Sequence, residues 1–163
     1  MRENVRANLP STARRVTDHT ADHVNERIRQ QTVENLKCFA SGSPEAVRGR
    51  MAQLDAEWDI ERTLEANASA LALIGLALGA FINKKFLILP GIVAGFLLQH
   101  ALQGWCPPVP VFRRMGFRTS YEIDQERYAL KAFRGDFGEV AGDVARSAAA
   151  VGLETNGRPG AEA

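Results

Sequence analysis

The sequence predicts an all-α membrane protein: a two-span antiparallel transmembrane helical hairpin with amphipathic cytoplasmic or interfacial helices on both sides. Two apolar runs, residues 68–82 and 86–102, are separated only by Asn83, Lys84 and Lys85. So short a polar break brings the two runs back to back. The flanks, by contrast, are rich in charged residues, with hydrophobic residues at helical spacing. This is the pattern of a membrane centre with polar flanks.

Both apolar runs are close to the lower length limit for a membrane span. About 20 apolar residues cross the ~30 Å hydrocarbon layer, and roughly 17 is the minimum. Lys84 and Lys85 extend the reach of the runs, because their aliphatic stems cross the apolar boundary while the ammonium groups stay in water. The alternative is a buried helical hairpin of a soluble protein, which accommodates Gln99 and His100 more easily than lipid does.

Helix signals mark the chain before the hairpin. Residues 11–40 carry hydrophobic residues at helical spacing among charges and predict one amphipathic helix. Ser43 caps the next helix, which has Pro44 at its first position. No breaker follows before the first span, so this helix is expected to continue into the span as one long rod.

Other signals mark the chain after the hairpin. Three prolines in residues 107–110 are expected to exclude a helix and leave an extended interfacial segment. Thr119 and Glu122 form a capping box that begins another helix, and Gly135 closes it. The predicted segments are an N-terminal amphipathic helical segment (1–43), a helix leading into the first span (44–67), the transmembrane hairpin (68–104), an interfacial segment with a C-terminal helix (105–137) and a weakly helical to disordered tail (138–163).

Basic residues predict the orientation of the hairpin. Six arginines flank its two outer ends, whereas only two lysines occupy its turn, which favours cytoplasmic termini. Trp58 and Trp105 agree, because indole rings prefer the headgroup level and these two flank the same ends. Arg113 and Arg114 are expected to meet anionic lipid headgroups. The residues predicted to anchor the chain at the two interfaces are Trp58, Lys84, Lys85, Trp105, Arg113 and Arg114.

Each apolar run contains a Gly-x-x-x-Gly pattern, Gly75 with Gly79 in the first and Gly91 with Gly95 in the second. This spacing puts both glycines of a run on one helix face. Close backbone approach over small residues is a main source of helix association in lipid. The two faces are expected to pack against each other within the hairpin; the alternative is that one of them forms a homodimer.

Three groups of residues are candidates for chemistry. Cys106, beside Trp105 at a predicted membrane boundary, is a candidate reactive thiol, and its alternative role is simple packing. His100 is a polar residue within the second span, with haem ligation or proton transfer weighed against a hydrogen-bonded contact between helices. His19 and His23 lie four residues apart beside carboxylates, which suits a divalent metal but also an ordinary solvated face.

No catalytic, cofactor-binding or metal-binding motif of high specificity is present. The chain is therefore not expected to be an enzyme, and no cofactor is expected. Nucleic-acid binding is not expected either, because basic residues alternate with carboxylates and the net charge is only +1. The absence of an apolar segment after Met1 predicts that the first span serves as the insertion signal.

The hairpin and the Gly-Trp-Cys-Pro motif at residues 104–107 resemble the YgaP-like transmembrane family of bacterial inner-membrane proteins, a domain family of unknown function. Residues 24–28, 57–62 and 126–132 resemble a longer subgroup of that family. The resemblance implies a multi-pass protein of the bacterial inner membrane with cytoplasmic N and C termini. It also implies a tendency to dimerise and a sulfurtransferase neighbour, because some members are fused to rhodanese domains. No rhodanese domain is expected in this chain.

Two functions are weighed on these grounds. The first is a non-catalytic inner-membrane adaptor or scaffold, or a small subunit, that anchors cytoplasmic helices. The second is a membrane thiol protein linked to sulfur or redox chemistry through Cys106. The expected partners are the lipid bilayer, a second copy of the chain or another membrane subunit, and a sulfurtransferase or redox neighbour.

Overall fold

The computed structural model describes residues 10–138 and 144–151, and all regular secondary structure in these two ranges is helical. The all-α prediction is confirmed for this part of the chain. Two 3-10 turns, Thr17–His19 and Lys84–Leu87, accompany the α-helices. The α-helices are α1 (Asp22–Ala40), α2 (Pro44–Ala56), α3 (Ile60–Phe81), α4 (Ile88–Gln103), α5 (Val109–Met115), α6 (Ser120–Arg134) and α7 (Val144–Ala150).

Helices α3 and α4 form the predicted hairpin and pack along each other, joined by the Lys84–Leu87 turn. Asn83 begins this turn, because its side chain accepts a hydrogen bond from the backbone N–H of Lys85 at 2.9 Å. Both helical arms are long and apolar enough to cross a membrane, and few of their residues are buried inside the protein.

The glycines of α3 make the hairpin tight. A Cβ atom added to Gly75 would lie 2.7 Å from Cδ of Pro90, and one added to Gly79 would lie 2.7 Å from Cγ of Leu87. Both distances are too short for carbon atoms that are not bonded. The turn and the first residues of α4 therefore approach α3 at the closest distance that glycine permits.

The glycines of α4 have a different environment from the one expected. Gly91 and Gly95 are exposed, and a Cβ on either would meet no described atom within 4 Å. The two glycine faces therefore do not pack against each other. The α3 face packs on Leu87, Leu89 and Pro90, because the short turn sets the rotation of α4, and the α4 face points outward.

Helices α1, α2 and α6 pack on one another and form what we call the headpiece. Its core contains Val47, Leu54, Ile123 and Leu130, with further side chains of α1 and α2 against them. Helices α3 and α5 meet in a second core, which we call the joint. The joint contains Val16, Ile60, Leu64, Cys106 and Val109, with Phe112 and Phe117 at its edge.

Three predicted helix boundaries are confirmed. The Ser43 hydroxyl accepts a hydrogen bond from the N–H of Ala46, and Pro44 follows at the first helical position. Thr119 and Glu122 form the capping box of α6. Gly135 ends α6 in the left-handed conformation, with φ of +88°. The predicted tail beyond residue 151 lies outside the described residues.

The predicted rod from α2 into the first span is wrong. Helix α2 ends at Ala56, and α3 begins after Asp59, whose carboxylate caps the N–H of Arg62 at 2.7 Å. A tertiary contact holds the break open, because the N–H of Ile60 donates to the carbonyl of Arg118 at 2.8 Å. The long-range contact leaves no local signal in the sequence, whereas Asp59 is a local capping signal that the prediction of a continuous rod overlooked.

Two other predictions about local structure are wrong. The prolines of residues 107–110 do not exclude a helix, because Pro108 precedes α5 and Pro110 lies in its first turn, where no backbone N–H is needed. The predicted helix over residues 11–40 is broken at Thr20 and Ala21, and α1 begins at Asp22. The Asn25 amide stabilises this break by donating to the carbonyls of Thr17 and Thr20.

Candidate functional site

Cys106 lies in the joint beside a chain of polar side chains that we call the thiol site. The chain consists of Cys106, His100, Glu61 and Arg15. The His100 Nε2 is 2.6 Å from a Glu61 carboxylate oxygen, and Arg15 donates to the other oxygen at 3.1 Å. Arg15 also donates to the carbonyl of Ala101 at 3.1 Å. Side chains from three separate stretches of the sequence therefore meet at the end of the hairpin opposite its turn.

The hydrogen bond to Glu61 defines the tautomer that the His100 ring has when it is neutral. Nε2 donates to Glu61, so in the neutral ring the Nδ1 atom carries the free lone pair. Nδ1 is buried and has no hydrogen-bond partner within the described ranges, and the Cys106 thiol interacts with the ring in addition to Glu61. His100 and Cys106 are only 5% and 3% exposed. A thiol, an imidazole and a carboxylate in this order are the parts of an activated cysteine nucleophile.

Cys106 also lines an apolar groove between the two arms of the hairpin, which we call the hairpin groove. Its volume is about 270 Å³. The lining extends from Cys106 along α3 to Leu71 and along α4 to Leu89, and the polar Asn67 amide in it already donates to the carbonyl of Thr63. The groove thus presents apolar side chains along its length and Cys106 at the end opposite the turn.

A second polar centre surrounds Arg113, which is fully buried. All five N–H groups of its guanidinium are used. Two donate to the two carboxylate oxygens of Glu122, at 2.6 and 2.7 Å, and a further bond goes to the Phe117 carbonyl at 3.0 Å. The remaining two go to Asn25 and Thr20, at 2.9 and 3.2 Å. Arg113 therefore joins the chain before α1, α1 itself, α5 and α6.

A third polar centre surrounds the fully buried carboxylate of Glu126 in α6. Arg50 of α2 donates to it at 2.7 and 3.1 Å, and Arg118 donates at 2.5 Å. Arg118 also forms two hydrogen bonds with Glu57 in the connection between α2 and α3, and one with Thr32 of α1. This network links the headpiece to the break before the first hairpin arm.

Burial and hydrogen bonding act in opposite directions on these charges. Burial alone would raise the pKa of Glu122 and of Glu126, but the hydrogen bonds and charges of their arginine partners hold both pKa values below the ordinary range. Burial alone would lower the pKa of Arg118, but Glu57 and Glu126 keep that pKa above its ordinary value. These side chains are therefore charged at neutral pH and form a structural network.

The predicted interface anchors are found in different environments. Lys84 and Lys85 are exposed in the turn, and Trp105 is partly buried. Trp58 is 47% exposed, with the Arg62 guanidinium 4.4 Å above its ring. Arg114 is exposed, as a headgroup contact requires.

The prediction for Arg113 is wrong, because this side chain is fully buried and cannot reach lipid headgroups. The physical reason is its position in α5. Adjacent residues of a helix point in different directions, so Arg114 faces solvent while Arg113 faces α6 and Glu122. Two neighbouring arginines thus have unrelated roles.

The metal hypothesis for His19 and His23 depends on one helix carrying both rings. The break at Thr20 and Ala21 places His19 in a 3-10 turn and His23 in α1. No group of three or more His, Cys, Asp and Glu side chains suited to a metal ion occurs in the described ranges.

His100 forms a hydrogen-bonded contact between helices, with Glu61 as its partner. This contact is the predicted alternative to haem ligation or proton transfer.

Sequence reasoning missed Arg15, Glu61, Arg118 and Glu126. Their partners lie between 8 and 86 residues away along the chain, so no spacing rule relates them. A signal did exist, because Glu61 and Glu126 fall within the stretches that resemble the longer family subgroup.

No family model, no curated protein and no solved structure matches this chain. The family resemblance therefore stays a prediction.

Proposed function

We propose that this protein is a membrane-anchored scaffold whose hairpin holds the headpiece at the cytoplasmic face of a bacterial inner membrane. The observation that carries the proposal is the apolar surface of the hairpin. Its largest exposed side chains include Phe81, Ile82 and Ile88, which are 88%, 70% and 69% exposed. An apolar surface of this extent favours lipid contact over a soluble bundle with a buried hairpin.

The organisation of the headpiece supports the same proposal. Its buried charges are paired across α1, α2 and α6, and Arg118 links them through Glu57 to the first hairpin arm. A partner bound to the headpiece would therefore be held at a defined orientation to the membrane. The proposed role needs no chemistry beyond binding, in keeping with a sequence that has no specific catalytic motif.

Membrane topology tests the scaffold proposal. We expect the protein to stay in membranes after carbonate extraction. In single-cysteine variants, an impermeant maleimide should label Lys84→Cys from outside the cytoplasmic membrane, and should label Cys38 only in inverted vesicles. Cys38 is exposed at the end of α1 and suits this use. Release by carbonate, or labelling of both positions from the same side, would contradict the proposal.

We also propose that a second copy of the chain is a partner, through the outward glycine face of α4. Gly91 and Gly95 are open, and helices in lipid associate where small residues let backbones approach. The corresponding face of α3 is already occupied by Leu87, Leu89 and Pro90. These contacts therefore support a dimer interface on α4 and not on α3.

Substitution at the α4 face tests the dimer. We expect Gly91→Ile with Gly95→Ile to weaken self-association in bilayers at least about tenfold, which corresponds to ~1.4 kcal/mol. Förster transfer between labelled copies in liposomes measures the association. Ala77→Ile, at an exposed position of α3, is the matched control and should leave it unchanged. Equal effects of the two changes would contradict a dimer through α4.

A second candidate function is a membrane thiol protein acting through Cys106. The observation that favours it is the buried Nδ1 atom of His100, which has no hydrogen-bond partner in the described part of the chain, in a ring that interacts with the Cys106 thiol. A helix contact alone needs only Nε2 and Glu61. Because Nε2 is bonded to Glu61, Nδ1 is the ring nitrogen left as a proton acceptor for the thiol.

A further inference from the structure

The thiol site and the hairpin groove meet at one residue, Cys106. Its thiol interacts with the His100 ring, which Glu61 holds through Nε2. Cys106 also lines the groove, which continues along α3 and α4 between apolar side chains. A ligand that reaches this sulfur through the groove must therefore have a reactive polar end and a long apolar body.

The surroundings exclude most other substrates of a thiol. Cys106 is 3% exposed, so a polar substrate from water has little access to it. The groove is part of the two arms proposed to lie in lipid, and the inference rests on that proposed function. Hydrocarbon chains are the apolar molecules that a bilayer offers in quantity.

We propose that Cys106 is an S-acylation site, at which the thiol takes a long-chain acyl group and the part of the chain nearest the sulfur occupies the hairpin groove. The donor class is a long-chain acyl thioester, such as a fatty acyl coenzyme A. This assigns a substrate class to the thiol candidate, and it requires no oxidant or reductant.

The reaction balances with the groups at the site. The Cys106 thiol gives its proton to Nδ1 of His100, and the sulfur attacks the carbonyl carbon of the donor thioester. A new carbon–sulfur bond forms to Cys106 as the bond between that carbon and the donor sulfur breaks. The proton held by His100 then passes to the leaving donor thiolate. Glu61 acts as a positioning residue, because it holds the ring through Nε2 and leaves Nδ1 for the thiol.

Cys38 is an internal control for this reaction. It is exposed, so access alone would make it the faster of the two cysteines. The full chain in detergent micelles is incubated with palmitoyl coenzyme A, and hydroxylamine-sensitive acylation of each cysteine is followed by peptide mass spectrometry. We expect Cys106 to react roughly 100-fold faster than Cys38, the size of a typical general-base contribution. Equal rates, or a faster Cys38, would overturn the proposal without any variant.

Two substitutions separate the groove from the base. Ala68 lines the groove, so Ala68→Leu should slow transfer of the palmitoyl group about tenfold or more and leave the much slower acetyl transfer from acetyl coenzyme A unchanged. Ala70→Leu, at an exposed position two residues away on the same helix, is the matched control and should change neither rate. Glu61→Gln should slow both transfers by a similar factor. Equal rates of palmitoyl and acetyl transfer in the wild type would overturn the role of the groove.

Carbonate extraction tests the membrane hairpin separately from the acylation of Cys106. Release of the protein by carbonate would overturn the anchor, whereas the micelle assay measures acyl transfer independently of insertion. Retention in the membrane together with unreactive Cys106 would overturn the acylation site and leave the scaffold standing.

Discussion

Arg113→Ala is expected to destabilise the headpiece by roughly 3–5 kcal/mol, the usual cost of removing one partner of a buried ion pair. The change leaves the carboxylate of Glu122, whose side chain is only 14% exposed, without its charged partner. It also removes hydrogen bonds to Asn25 and Thr20, which hold the start of α1 against α5. Urea unfolding in micelles, followed by tryptophan fluorescence, measures the loss.

The neighbouring residue supplies the control. Arg114→Ala removes the same kind of side chain from an exposed position and should change the free energy of unfolding by less than about 0.5 kcal/mol. The double variant Arg113→Met with Glu122→Leu should recover much of the loss, because an apolar pair leaves no unpaired buried charge. Similar losses for Arg113→Ala and Arg114→Ala would mean that Arg113 is exposed after all.

The same ion pair predicts a dependence on pH. The pKa of Glu122 is held below its ordinary value of 4.5, against the effect of burial, by Arg113 and the backbone of Thr119. A carboxyl whose pKa is depressed by folding contributes stability that is fully present above the unfolded pKa and is lost as the pH falls through the folded pKa. The wild type should therefore lose stability below about pH 4.5, and Arg113→Ala should lose less over the same range.

Gly104→Ala is expected to cost about 2–5 kcal/mol, from left-handed strain and from overlap with the backbone. Gly104 ends α4 with φ of +79°, and a Cβ there would lie 2.5 Å from the backbone carbonyl carbon of Arg15. Backbone atoms cannot rotate away as a side chain does. The change should therefore push the Arg15 segment off α4 and separate Arg15 from Glu61.

Gly116→Ala separates the conformational strain from the overlap with the backbone of Arg15. It also has a positive φ, +97°, but a Cβ there would meet no described atom within 4 Å. Gly116→Ala should therefore show only the conformational strain, about 1–2 kcal/mol. The difference between the two variants in urea unfolding measures the contact with Arg15. Identical losses would contradict the close packing at the end of α4.

Local chemistry explains which predictions the structure confirmed. The hydroxyls of Ser43 and Thr119 cap helices through hydrogen bonds to residues three positions away, so the signal and its partner lie in the same short stretch. Gly135 ends α6 for an equally local reason. The apolar runs around Asn83 predicted the hairpin because hydropathy is a property of each run by itself.

The incorrect predictions concern features that depend on contacts between distant parts of the chain. The break before Ile60 is held by the carbonyl of Arg118, which lies 58 residues further along the chain than Ile60. Arg113 is drawn inward by partners in α1 and α6, and the outward rotation of Gly91 follows from contacts of the turn with α3. Each of these depends on segments that meet only after folding.

The sequence by itself determined the helical class of the described chain, the hairpin with its turn, and the caps that begin α2 and α6. These features follow from hydropathy, spacing and bonds within one turn of helix. Only the tertiary structure decided that Glu61 and His100 meet beside Cys106, that Arg113 is buried, and that one glycine face is covered while the other is open. The reason is physical: a charge or a thiol acquires its role from neighbours in space, and those neighbours come from distant parts of the chain.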